Sequence, residues 1–130
     1  MAINFSGKRI LLAEDNDLNA EIAIELLSEM ELEIERAEDG AICIDMMERA
    51  KEGYYDLILM DIQMPNVNGY QAAEAIRKLD NLSKASIPIV AMTANAFEED
   101  RKNAYAAGMD AHFIPYSRES QPFKKCQRGQ

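Results

Sequence analysis

The chain has 130 residues, 48% of them apolar, and its 14 basic and 23 acidic residues leave a formal net charge of -9. This length supports one domain with a single core, and the acidic excess disfavours direct nucleic-acid binding, which needs clustered Lys and Arg. The apolar runs are too short to span a bilayer and no signal-peptide core opens the chain, so we expect a soluble protein. Two cysteines without metal-ligand spacing or disulfide density, a core Cys43 and an exposed Cys126, favour a cytoplasmic location.

Three short apolar runs, residues 10–13, 57–60 and 87–92, predict buried parallel strands. The segment ELEIERAED alternates Leu32 and Ile34 with glutamates, which predicts a half-exposed strand at a sheet edge. We expect the glutamates from Glu31 to Glu38 to form a solvated face and its following loop.

Segments with helical spacing separate these strands. Their predicted apolar positions are Leu18, Ile22, Leu26 and Met30, then Cys43, Met47 and Ala50, then Ala72 or Ala73, Ile76 and Leu79, and finally a helix from Glu98 to Ala107 closed by Gly108. The alternation implies right-handed crossovers and an open doubly wound α/β domain with a parallel sheet.

The sequence changes character after Pro115. Residues 116–130 carry four basic residues and one acidic residue, show no helical period and contain Pro122. We therefore expect a domain over residues 1–115 and a disordered tail over 116–130.

Ligands bind outside the carboxyl ends of the strands in such a sheet, and there the chain places Glu14, Asp15, Asp61 and Thr93. Three ionised carboxylates in one cleft require raised pKa values or a cation between them, and an all-oxygen site suits Mg²⁺ or Mn²⁺. A carboxylate beside Mg²⁺ can form an acyl phosphate while Thr93 donates to a phosphoryl oxygen. The structural alternatives are Asp61 as a helix cap and the acidic pair as a first helical turn.

Four motifs carry a family resemblance: ILLAEDN, DLILMDIQMPNVNGY, IPIVAMTANA and AAGMDAH. Over residues 7–115 the chain resembles the receiver domain of bacterial two-component response regulators, and AEDNDLN and MTANAF are most similar to receivers of hybrid histidine kinases. The resemblance implies a flavodoxin-like strand order 2-1-3-4-5, with the last helix altered or missing here. It also implies a phosphoacceptor domain rather than a conventional enzyme, with a histidine kinase or histidine phosphotransfer domain as partner.

The resemblance assigns roles residue by residue. Asp61 becomes the phosphate acceptor, and Glu14 and Asp15 become the acidic pair that holds Mg²⁺ together with Asp61 and the backbone carbonyl of Gln63. The hydroxyl that moves towards the phosphoryl group and the inward-turning switch residue correspond to Thr93 and His112.

One departure from the family lies in DAHFIPYS, where a Lys is expected directly before Pro115 and none is present. Lys124 or Lys125 would have to supply that charge from the tail. The altered C-terminal face also implies exposed apolar surface through which two copies can pair.

Three other functions stay open beside the phosphorylated signalling module. An interaction module without working phosphorylation would follow from the missing lysine. A Mg²⁺-dependent hydrolase with an aspartyl phosphate usually has a second Asp two residues after the nucleophile, where this chain has Gln63. A flavin-binding domain would need a donor-rich loop after the first strand, and EDND would repel its phosphate.

Overall fold

The structure, a computed structural model, describes residues 7–62, 64, 67–92 and 98–113, and for residues 98–101, 112 and 113 it describes the backbone. Five strands and five helices follow one another in that part of the chain. In chain order they are β1 (Arg9–Ala13), α1 (Asp17–Ser28), β2 (Glu33–Ala37), α2 (Gly40–Arg49), β3 (Leu57–Asp61), α3 (Gly69–Arg77), α4 (Leu82–Ala85), β4 (Ile89–Met92), α5 (Glu98–Ala106) and β5 (Ala111–Phe113). None of the described helices is both long and apolar enough to cross a bilayer.

The strands form one parallel sheet in the order β2-β1-β3-β4-β5. This confirms the predicted doubly wound class, the 2-1-3-4-5 order and the edge position of β2. Ala13 pairs with Met60, and Asp61 pairs with Met92, so β1, β3 and β4 end at the same edge. The predicted change in the last helix and the tail over 116–130 lie outside the described residues.

Alternate strand residues pack on opposite faces of the sheet, as the pleat requires. Leu11 and Met60 belong to the core under α2 and α3, whereas Leu12 and Leu59 belong to the core under α1. Cys43 is buried as predicted, and burial raises the pKa of its thiol to about 12.

The buried face of α1 differs from the predicted stripe. Ala20 and Ala23 are buried, whereas Leu18 is 63% exposed and Met30 lies beyond the end of the helix. Small alanines let the helix backbone approach the sheet closely, and a 3.6-residue period places this stripe beside the predicted one. Periodicity alone could not choose between the two stripes.

The expectation that all the glutamates from Glu31 to Glu38 are solvated is wrong for Glu35. Its two carboxylate oxygens accept hydrogen bonds from the hydroxyls of Tyr54 (2.5 Å) and Tyr55 (2.7 Å). These hydrogen bonds lower the pKa of Glu35, with a smaller contribution from the Arg9 guanidinium. The two tyrosines lie about twenty residues after Glu35 in the chain, so a local sequence pattern cannot predict them as its partners.

Arg77 ties together the segments that lead into β4 and β5. Its guanidinium donates to three backbone carbonyls and one carboxylate: Ala85 O (2.8 Å), Ile87 O (2.6 Å), Gly108 O (2.8 Å) and Asp110 Oδ2 (2.9 Å). The short helix α4, which the sequence analysis missed, is thereby held against the sheet through its last residue.

We expect Arg77→Met to lower the free energy of unfolding by about 3 kcal/mol, because carbonyls in this part-buried site lose their donor. Urea unfolding measures the change. The matched control is Arg49→Met, since Arg49 makes an exposed ion pair with Asp45 on α2 and should cost no more than about 0.5 kcal/mol. Equal losses in both variants would contradict the special role of Arg77.

Candidate metal centre

The turn between β1 and α1 places an acidic pair at the carboxyl edge of the sheet. Glu14 and Asp15 follow the last strand residue directly, and the Glu14 amide donates to the Ala37 carbonyl at 3.0 Å. Asn16 is the N-cap of α1, because its Oδ1 accepts from the Asn19 amide at 2.9 Å. The acidic pair therefore precedes the helix and is not its first turn.

Asp61 is the last residue of β3 and reaches the same edge from the neighbouring strand. It does not cap α3, since Asn68 does so in a capping box with Gln71. Gly69 begins that helix so close to the strand that an added Cβ would lie 2.8 Å from Ile62 Cα and would also collide with the Asp61 carbonyl. A glycine is therefore required here for the helix to begin beside Asp61.

The three predicted carboxylates meet in space. Glu14, Asp15 and Asp61 each offer an oxygen, and these oxygens lie within 4.8 Å of one another. Glu14 is buried, Asp61 is half-buried and Asp15 is exposed, so the cluster opens to solvent on one side. An all-oxygen donor set of this kind fits a hard divalent cation such as Mg²⁺.

Burial is the main reason that the pKa of Glu14 lies above its ordinary value, and the charge of Asp15 raises it further. Hydrogen bonds to the Asn16 amide (3.1 Å) and to the Asp61 side chain work in the opposite direction. Crowded, partly desolvated carboxylates cost free energy, which a bound cation would offset. The electrostatics of the cluster therefore agree with its donor chemistry.

The other predicted site residues either lie outside the described residues or are described by their backbone alone. Gln63 and Thr93 lie outside the described residues, as do Lys124 and Lys125. His112 lies in β5, with its backbone paired to Ala91 of β4. The roles predicted for Gln63, Thr93 and His112 remain predictions.

Arg36 is a contact of this turn that the sequence analysis missed. It lies in β2, and its Nε (3.0 Å) and Nη2 (2.8 Å) both donate to the backbone carbonyl oxygen of Glu14. Its Nη1 also pairs with Asp17 at 2.9 Å. The sequence feature that could have indicated this contact is a single basic residue among glutamates at the end of the predicted edge strand.

Comparisons with known proteins identify the family to which the chain belongs. A model of the response regulator receiver domain family matches residues 10–115, so the chain belongs to that family. Among curated relatives, the peroxide stress-activated histidine kinase mak1 of Schizosaccharomyces pombe is 38% identical over 109 residues, and the sensor protein GacS of Pseudomonas syringae is 36% identical over 103. The matches cover 82% and 78% of this chain but 7% and 11% of those proteins.

Two solved receiver domains of histidine kinases are also similar. The receiver of PA1611 from Pseudomonas aeruginosa, described with magnesium in its active-site cleft, is 36% identical with a TM-score of 0.75, and the match covers 88% of this chain and 90% of that one. The receiver of CKI1 from Arabidopsis thaliana, complexed with Mg²⁺ and BeF₃⁻, is 30% identical with a TM-score of 0.74 over 85% and 82% of the two chains.

Proposed function

We propose that this receiver domain accepts a phosphoryl group on Asp61 from a phosphohistidine of a partner protein, with Mg²⁺ at the acidic cluster. The observation that carries the proposal is the meeting of Glu14, Asp15 and Asp61 within 4.8 Å. Membership of the receiver family and likeness to receivers described with magnesium support it. Similarity to a histidine kinase and to a hybrid histidine kinase supports the proposed partner class, which is a histidine kinase or a histidine phosphotransfer domain.

In the proposed chemistry, Glu14, Asp15 and Asp61 would hold Mg²⁺, with the backbone carbonyl of Gln63 as a further ligand. When bound, Mg²⁺ would supply positive charge that neutralises the phosphoryl oxygens. A carboxylate oxygen of Asp61 bonds to phosphorus while the phosphorus–nitrogen bond of the phosphohistidine breaks, and the imidazole leaves with the bonding electrons. The product is an aspartyl phosphate.

The proposed switch follows the phosphoryl transfer. Thr93 donates its hydroxyl to a phosphoryl oxygen, and His112 changes position as the domain shifts between two conformations with different surfaces. Because the transfer depends on charge neutralisation and in-line geometry, it needs no general base beside Asp61.

A second candidate is an interaction module without working phosphorylation. The observation that favours it is the missing Lys before Pro115 in DAHFIPYS, because a cation that would face the phosphoryl oxygens is not encoded there. A Mg²⁺-dependent hydrolase is less well supported, since Gln63 occupies the position of its second Asp.

The test is incubation with Mg²⁺ and acetyl phosphate followed by intact-mass measurement, with an NMR titration of Mg²⁺ and beryllofluoride in parallel. We expect the mass of one phosphoryl group to be added, no addition when EDTA replaces Mg²⁺, and shifts of amide resonances around Asp61. Absence of both the adduct and the shifts would leave the interaction module as the function. Sustained turnover of small phosphate esters would instead favour the hydrolase.

A further inference from the structure

We infer that Arg36 is a positioning residue for the acidic cluster, because its guanidinium fixes the backbone of the turn that carries Glu14 and Asp15. The consequence for Mg²⁺ affinity rests on the proposed function. The effect on the turn itself does not, because it concerns contacts that exist without a metal.

Hydrogen bonds to β2 hold both the backbone amide and the backbone carbonyl of Glu14. The Glu14 amide donates to the Ala37 carbonyl, and the Glu14 carbonyl accepts two hydrogen bonds from Arg36, so consecutive residues of β2 hold both backbone groups. The Arg36 side chain is only 21% exposed, whereas its other partner, Asp17, is 92% exposed. The bonds to the carbonyl are therefore better shielded from water than the ion pair.

The turn needs such a support because its carboxyl groups repel one another when they are all ionised. The oxygens of Glu14, Asp15 and Asp61 lie within 4.8 Å, and repulsion between ionised carboxylates at that distance pushes the turn away from β3. The Arg36 guanidinium opposes that displacement, because it donates two directional hydrogen bonds to the Glu14 carbonyl oxygen. Groups that orient metal ligands through such outer contacts change metal affinity by roughly 10- to 100-fold when removed.

The charge of Arg36 has an effect of the opposite sign. A cation near the cluster repels Mg²⁺, so loss of charge alone would tighten Mg²⁺ binding, whereas loss of positioning would weaken it. The sign of the change in a neutral variant therefore separates the two effects. We expect positioning to dominate, since Asp17 already pairs with part of the guanidinium charge.

The experiment compares Arg36→Gln, Arg36→Lys and Arg9→Gln in the whole chain, with Mg²⁺ affinity measured by calorimetry well below each melting temperature. Arg36→Gln should weaken Mg²⁺ binding about tenfold, and Arg36→Lys should recover part of the loss by giving one bond to the carbonyl. Arg9→Gln removes the same charge at the opposite end of β1, beyond the range of strong screened interaction, and should change affinity by less than about twofold.

Amide hydrogen exchange without metal is the second readout. We expect the amides of Asp15 and Asn16 to exchange faster in Arg36→Gln than in the wild type, with the amides of β4 unchanged. Unchanged exchange in the turn, or Mg²⁺ binding as tight as or tighter than that of the wild type, would overturn the role of Arg36. A wild-type chain that binds no Mg²⁺ would refute the proposed metal site instead, and the exchange data would then decide the positioning role.

Discussion

Asp61→Asn is expected to abolish the phosphoryl adduct formed with acetyl phosphate and Mg²⁺. A neutral amide is a poor nucleophile towards phosphorus, and its loss of charge should weaken Mg²⁺ binding at least about tenfold, the equivalent of roughly 1.4 kcal/mol. Intact-mass measurement and calorimetry test the two effects separately. An undiminished mass gain would mean that another residue is the acceptor.

The same variant should be more stable than the wild type when metal is absent. One carboxylate is removed from a cluster whose oxygens lie within 4.8 Å, so at a pH where all three groups are ionised the free energy of unfolding in EDTA should rise by about 1 kcal/mol. Asp45→Asn on the exposed face of α2 is the matched control, and it should leave the adduct intact and stability within about 0.5 kcal/mol. A metal-free Asp61→Asn protein that is less stable than the wild type would count against carboxylate repulsion.

Insertion of one lysine between Ile114 and Pro115 is expected to accelerate phosphorylation of Asp61 by about tenfold to a thousandfold. A unit charge pair at about 4 Å contributes roughly 1 to 4 kcal/mol at effective dielectrics between water and a protein surface, and each 1.36 kcal/mol is about a factor of ten in rate. The strand register places the end of β5 in line with Asp61, since Asp61 pairs with Met92 and Met92 pairs with Phe113. Two strand spacings of about 4.8 Å therefore separate the backbone of Asp61, the proposed acceptor, from the end of β5.

Insertion of methionine at the same point controls for chain length without adding charge. The rate of adduct formation with acetyl phosphate should rise with lysine and stay near the wild-type rate with methionine. Equal acceleration by the two insertions would indicate that chain length, and not the added charge, limits the rate. A wild-type chain already as fast as the lysine insertion would indicate that its own residues supply the charge.

Most of the fold could be predicted from local sequence. The apolar runs at 10–13 and 57–60 became β1 and β3 because continuous apolar segments suit a strand buried on both faces. The helix α2 also followed its pattern, with Cys43 and Met47 buried. The four-residue α4 was missed because so short a segment carries no measurable period.

The sequence could not show which face of α1 is buried, since two overlapping stripes of apolar residues fit one helical period. In the structure Ala20 and Ala23 face the sheet, because their small side chains allow close contact. The partners of Glu35 and Arg77 were equally inaccessible to sequence analysis, because they come from distant turns and strands.

By itself, the sequence determined the residue types at the strand ends and therefore the chemistry available to the site. Glu14, Asp15 and Asp61 provide carboxyl groups whatever the fold of the chain. Only the tertiary structure decided that their oxygens meet within 4.8 Å and that Arg36 donates hydrogen bonds to the Glu14 carbonyl. The reason is physical: composition is local, whereas the spacing of charges depends on which strands pair and in what register.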